Sequence, residues 1–183
     1  MLDTAQKVNF NFVKTPPVDH IPHALIDYLL KIQERVNNTG PEIPVMRSLP
    51  ILQAGAQGCV PTLQLARLFR PVSDFFLTDT YLLQASETAL MQQPVNGFIG
   101  ITGKVCDWDI AAELVADSPI PVILAGGLSV QNVFAGIRQV RPAGVDSCTE
   151  TNARNPDGSF IRFKKDPQRV KEFIEEVRRA EQA

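Results

Sequence analysis

A chain of 183 residues, 44% hydrophobic and 21% charged, is long enough for one domain with a sizeable core and too apolar for extended disorder. A formal charge of −2, with no long run of like charges, leaves no electrostatic footprint for nucleic acid or for an anionic membrane surface. Cys59, Cys106 and Cys148 form no CxxC pair, so neither a disulfide framework nor a metal site is predicted, and no cofactor is expected. No signal segment and no membrane-spanning apolar run is visible, and the expected location is the cytoplasm.

Short β-branched or aromatic runs alternate with longer stretches of helical period, the pattern of parallel βα units. The first strand is expected at Lys7–Val13, ended by Pro16 and Pro17, with a helix over about 24–36 marked by Leu25, Leu29, Ile32 and Val36. The second is Ile43–Ile51, followed by a helix that starts near Pro61 and turns Leu65, Leu68 and Phe69 inward. The third, Ser73–Tyr81, leads through a long connection containing GITGK to a helix capped by Asp107 and packed through Ile110, Leu114 and Val115. The fourth, Pro121–Gly127, precedes a helix with Ser129 as cap and Val133, Ile137 and Val140 facing in. The fifth, Ala143–Thr149, is followed by a polar loop and a helix opened by Asp166 and Pro167, with Val170, Phe173, Ile174 and Val177 on one side.

Five βα units, read as one domain over residues 1–183, fit part of an eightfold barrel or an open doubly wound sheet, and periodicity alone leaves both open. An open sheet of this kind usually carries its strongest ligand signal in the first strand-to-helix loop. Here that loop is KTPPVDH, with no glycine to let a backbone approach a phosphate.

The chemical signals gather at the C-terminal ends of strands three to five, where parallel α/β folds bind ligands. Asp79 ends an apolar strand; partly desolvated, its carboxyl would have a raised pKa and serve as a general acid, whereas the plainer alternative is a hydrogen bond to its own loop. Gly126 and Gly127 follow a buried strand and precede a helix, which suits a phosphate or simply a tight turn. Asp146 lies in a strand-like run and needs either a task or a basic partner.

The blocks LTDT, GITGKVCDW, PVILAGGL and RPAGVD, in this order, resemble the LLDT, GGTGKxxDW, PVxLAGGL and RPxGVDVSSGVE blocks of phosphoribosylanthranilate isomerases. The resemblance is close from Ser73 onward and loose over 7–69. It implies a (βα)8 barrel of which this chain holds strands four to eight, with the N-terminal third of the family barrel missing. It also implies an Amadori rearrangement, in which an acid opens a sugar ring and a base takes a proton from the adjacent carbon. By resemblance Asp79 is the acid, Asp146 holds the substrate, and Gly126 and Gly127 form a phosphate-binding turn. Thr102, Gly103 and Lys104 match a loop that shields the intermediate from water. Arg47 is added as a candidate phosphate ligand, and the partner is a phosphorylated small molecule.

Departures from the family pattern are equally informative. The family's base, a cysteine in a KxCG motif on the first strand, is absent from the sequence. Asn9 and Asn11 stand where the family has Gln and His, Ile101 replaces a glycine, and Thr149 with Glu150 replaces the small residues of the eighth-strand loop, setting a carboxylate beside the expected phosphate. Cys106 and Cys148 are read as structural thiols. His20 and His23, separated by Pro22, are read as a surface loop, and Trp108 as packing at the base of its helix.

Three outcomes follow: a complete enzyme with further upstream sequence, a non-catalytic or divergent phosphosugar-binding barrel, or a homo-oligomer joined through exposed barrel edges.

Overall fold

The computed structural model describes residues 44–58, 60–82 and 103–183, together with the isolated helical positions Asp27, Leu30, Lys31 and Glu34. Those four positions fall inside the helix expected over 24–36, and all are exposed. The strand expected at Lys7–Val13, with Asn9 and Asn11, lies outside the described residues, as do His20, His23, Cys59, Ile101 and Thr102.

Four strands, β1 (Met46–Leu52), β2 (Phe75–Tyr81), β3 (Val122–Leu124) and β4 (Gly144–Val145), form one parallel sheet in the order β1-β2-β3-β4. Between and after them run α1 (Thr62–Phe69), α2 (Trp108–Asp117), α3 (Val133–Val140) and α4 (Pro167–Glu181). The register sets Arg47 beside Phe76, Phe76 beside Val122, and Leu124 beside Val145. Because side chains alternate between faces, Leu49, Ile51, Phe76, Val122 and Leu124 share one face. That face is where the helices pack: Leu49, Phe76 and Val122 meet Leu65 and Phe69 of α1 and Leu114 of α2, while Ile51 and Leu124 meet Ala111 of α2, Val133 and Val140 of α3 and Phe173 of α4. Helices on one face and strands in sequential order are the wall of a barrel; a doubly wound sheet reverses its strand order and is covered on both faces. The opposite, inner face presents Phe75, Leu77 and Ile123, each only half-buried, and the exposed Met46.

Local chemistry explains the helix starts. The Asp107 carboxylate accepts from the Asp109 and Ile110 N–H groups, and Asp166 does the same for Gln168 and Arg169 ahead of Pro167. Ser129 is corrected as a cap. It is the Asn132 side chain that closes this turn, accepting from the Ser129 N–H and donating to the Gly127 carbonyl, and the helix begins only at Val133. In α4 the inward seam is Val170, Phe173, Val177 and Ala180; Ile174 is 50% exposed.

The largest departure from expectation follows the fifth strand. β4 is only two residues long, and after a 3-10 turn at Thr149–Thr151 the expected polar loop is a hairpin of β5 (Asn152–Arg154) and β6 (Phe160–Lys165). Its turn is held by Asn155, whose N–H donates to the Ser159 carbonyl, and by Asp157, which accepts from the Ser159 N–H and hydroxyl.

Candidate active site

Extending the register by two places between β2 and β3 and by one between β3 and β4 puts Asp79, Ala125 and Asp146 in one row on the inner face, at the C-terminal end of the sheet. At about 4.8 Å per strand, the two carboxylate-bearing backbones stand roughly 10 Å apart, with the β3 end between them. The row is held rigidly. The Thr78 hydroxyl accepts from the Ala125 N–H and donates to the Ala125 carbonyl, and the Asp146 N–H donates to the Leu124 carbonyl.

Around this row is a cleft of about 180 Å³ whose lining includes Asp79, Gly103, Gly126, Gly127, Asp146 and Glu150. Asp79 accepts a hydrogen bond from the Thr80 N–H at 2.9 Å, so the plain reading of a carboxyl bonded to its own loop is present. Burial nevertheless dominates. It pushes the Asp79 carboxyl up to about 6, opposed by the Thr80 hydrogen bond and aided by the charge of Asp146. At pH 7 about one such carboxyl in ten holds its proton, against about one in a thousand at the ordinary value, which suits a general acid.

For the two glycines the plain reading, a tight turn, is present. Gly126 has φ +98 and a Cβ there would meet the Thr80 hydroxyl oxygen at 2.5 Å; Gly127 has φ +64 and a Cβ would meet the Lys104 carbonyl carbon at 2.4 Å. They are therefore required for close packing of the turn against the chain at 104–105, and the same bare turn lines the cleft. Thr80 completes the junction by donating to the Lys104 carbonyl at 2.6 Å. Gly103 lies in the lining, whereas Lys104 is exposed and outside it.

Arg47 is not brought to this site. It lies near the N-terminal start of β1 and on the helix-covered face, where its guanidinium donates to the Ser73 hydroxyl and the Val72 carbonyl and stacks 4.6 Å from the centre of the Phe69 ring. It is 5% exposed, and burial lowers its pKa to about 10. Its role is to join β1 to the end of α1, at the far end of the sheet from the cleft. A basic residue one place into a strand reads the same in sequence whichever end it serves.

The two described cysteines divide. Cys106 is fully buried, its thiol donating to the Ala125 carbonyl and pushed up to about 12 by burial, which agrees with a structural role. Cys148 lines the cleft and is only half-buried, so its setting differs from that of Cys106. Trp108 packs as expected, half-buried against the α3 layer, with its ring against Gly136. Glu150 lies in the lining, with Arg154 3.8 Å away as its counter-charge.

Residues 51–176 match the family model described as N-(5'-phosphoribosyl)anthranilate (PRA) isomerase. The N-(5'-phosphoribosyl)anthranilate isomerase of Methanocella arvoryzae is 34% identical over 137 residues, which cover 75% of this chain and 53% of that protein. The isomerase of the same name from Methanosarcina acetivorans is 32% identical over 140 residues, covering 75% and 52%. Among solved structures, phosphoribosyl anthranilate isomerase from Thermotoga maritima superposes with a TM-score of 0.50 at 18% identity, over 97% of this chain and 80% of that one, a likeness of fold. The chain spans about half the length of the curated relatives it matches. With Asp79 at the end of β2, a glycine turn after β3 and a family match over most of its length, the chain belongs to the N-(5'-phosphoribosyl)anthranilate isomerase family.

Proposed function

We propose that this chain is the acid-bearing and phosphate-binding part of a phosphoribosylanthranilate isomerase barrel, the activity its relatives' names carry, and that it serves tryptophan biosynthesis. The observation that carries this is the Asp79 carboxyl, raised to about 6 and facing a cleft whose floor is the Gly126–Gly127 turn. In this reading the Asp79 proton passes to the ring oxygen of the ribosylamine as the ring carbon–oxygen bond breaks. A base on the other side of the sugar then removes the proton of the adjacent carbon, giving the enol that collapses to the ketose. Asp146 holds the sugar, and the glycine turn with the loop after β4 holds the phosphate. The sequence has no KxCG motif to supply that base, so the reading assigns it to another part of the barrel.

A second reading, phosphosugar binding without turnover, is favoured by one observation: the carboxylate of Glu150 in the lining, which opposes a phosphate. Both readings treat 1–183 as a single domain, and among the described residues β1 and β4 are the outer strands of the sheet, where a further strand or a second copy would pair.

Cys148 provides the test. In a Cys59→Ser background, iodoacetamide should alkylate Cys148 and spare the buried Cys106, and saturating N-(5'-phosphoribosyl)anthranilate should slow that labelling at least tenfold. Labelling indifferent to this compound and to ribose 5-phosphate would refute the assignment of the cleft. Turnover separates the two readings: once the base-bearing part of the barrel is supplied, isomerisation supports the first and its absence supports the second.

A further inference from the structure

Lys165 closes β6, immediately before the Asp166 cap of α4, and its ammonium is directed at the loop after β4. It donates to the Ser147 carbonyl at 3.2 Å, the Cys148 carbonyl at 2.5 Å and the Thr151 hydroxyl oxygen at 2.7 Å. An ammonium has three donors, and these three acceptors match them. The same two carbonyls also lie within hydrogen-bonding distance of the Thr151 hydroxyl, at 3.1 and 3.2 Å, so they are gathered from two sides. The Ser147 hydroxyl donates to the Leu128 carbonyl at 2.6 Å, tying this loop to the segment that follows the glycine turn.

The consequence lies on the other side of each peptide. In a planar trans peptide the N–H points opposite to its C=O. With the Ser147 and Cys148 carbonyls held toward Lys165, the N–H groups of Cys148 and Thr149 are turned away from it, and both residues line the cleft, whereas Lys165 does not. If these peptides were free to rotate, carbonyl oxygens could face the cleft and repel an anion there, adding to the charge of Glu150.

We infer that Lys165 is a positioning residue for the cleft. From outside the lining, the ammonium on the β5–β6 hairpin fixes the peptides at 147–149 with their donors toward the bound phosphate monoester, and its positive charge offsets Glu150. The inference rests on the functional reading given above, because it concerns the same cleft.

The experiment is a titration of the folded chain with inorganic phosphate and then ribose 5-phosphate, followed by the amide resonances of Gly126, Gly127, Cys148 and Thr149. Wild-type protein should show saturable shifts at all four. Lys165→Met should weaken phosphate binding tenfold or more with a melting temperature within a few degrees of wild type, and Lys165→Arg should restore binding to within threefold. Should the Met variant not fold, Lys165→Gln, which keeps two N–H donors and loses the charge, carries the same expected loss. Binding unchanged in the neutral variants would reduce Lys165 to a staple of the hairpin and overturn the inference alone. No saturable shift in the wild type would overturn the functional reading, and this inference with it.

Discussion

Arg47 and Asp79 sit on adjacent strands of one sheet, and the protein treats them in opposite ways. Arg47 lies near the N-terminal end, on the helix-covered face, with its guanidinium shared among a hydroxyl, a carbonyl and an aromatic ring. Asp79 lies at the C-terminal end, on the inner face, with one backbone N–H as its partner and a cleft before it. Burial shifts both, yet Arg47 at about 10 stays charged at neutral pH while Asp79 at about 6 is left close to its titration midpoint. A perturbed pKa therefore separates site from scaffold only when read with the partners and the end of the strand.

The largest effect that would break this contrast is at Asp79. With the rest of the barrel supplied in trans, Asp79→Asn should lower isomerase turnover by about 10²- to 10⁴-fold, the usual loss for a positioned acid. The same change should stabilise the fold. A carboxyl raised from 3.8 to about 6 on folding makes its full contribution to stability below about pH 4 and loses it as the pH climbs through 6, because the folded state resists giving up the proton. At 1.36 kcal/mol per pKa unit, Asn should be more stable than Asp above pH 6 by roughly 3 kcal/mol, with no difference near pH 4. Urea melts of both proteins at pH 4 and pH 8 give the comparison; a gap independent of pH would mean that Asp79 is not desolvated.

A smaller effect is expected from Glu150. Removing the negative charge of Glu150 from the cleft lining, where Arg154 already opposes it, should tighten phosphate binding about three- to tenfold in Glu150→Gln. Weaker binding in that variant would place the phosphate elsewhere. Smallest of all should be the effect of Arg47→Met on the cleft: phosphate affinity unchanged within twofold by calorimetry. A tenfold loss would return Arg47 to the site.

Much of this was legible because local chemistry and burial agreed. β1 and β2 lie within three residues of their expected starts, and Asp107 and Asp166 cap as their positions before an apolar-periodic run suggest. The doubly wound alternative fell only to the strand order and the one-sided helices, which no single segment encodes. The hairpin at 152–165 was read as a polar loop because β6 carries Arg162, Lys164 and Lys165, and charge concealed its strand character; the Asn155-Pro156-Asp157-Gly158 turn was the available signal. Asp79, Asp146 and the glycine turn line one cleft, and the roles their blocks imply belong to the proposal. Lys165 gave no sign, since a lysine before a helix cap looks like any solvated charge until its three acceptors are seen.

The sequential order of β1 to β4 also bears on how the chain is made. Among the described residues, β2, β3 and β4 each hydrogen-bond to the sheet strand synthesised just before, so these three strands find a partner already made when they emerge. As the chain leaves the ribosome the wall can grow one unit at a time, always from its newest edge. Asp79 on β2 therefore emerges before the loops that complete its cleft have been translated.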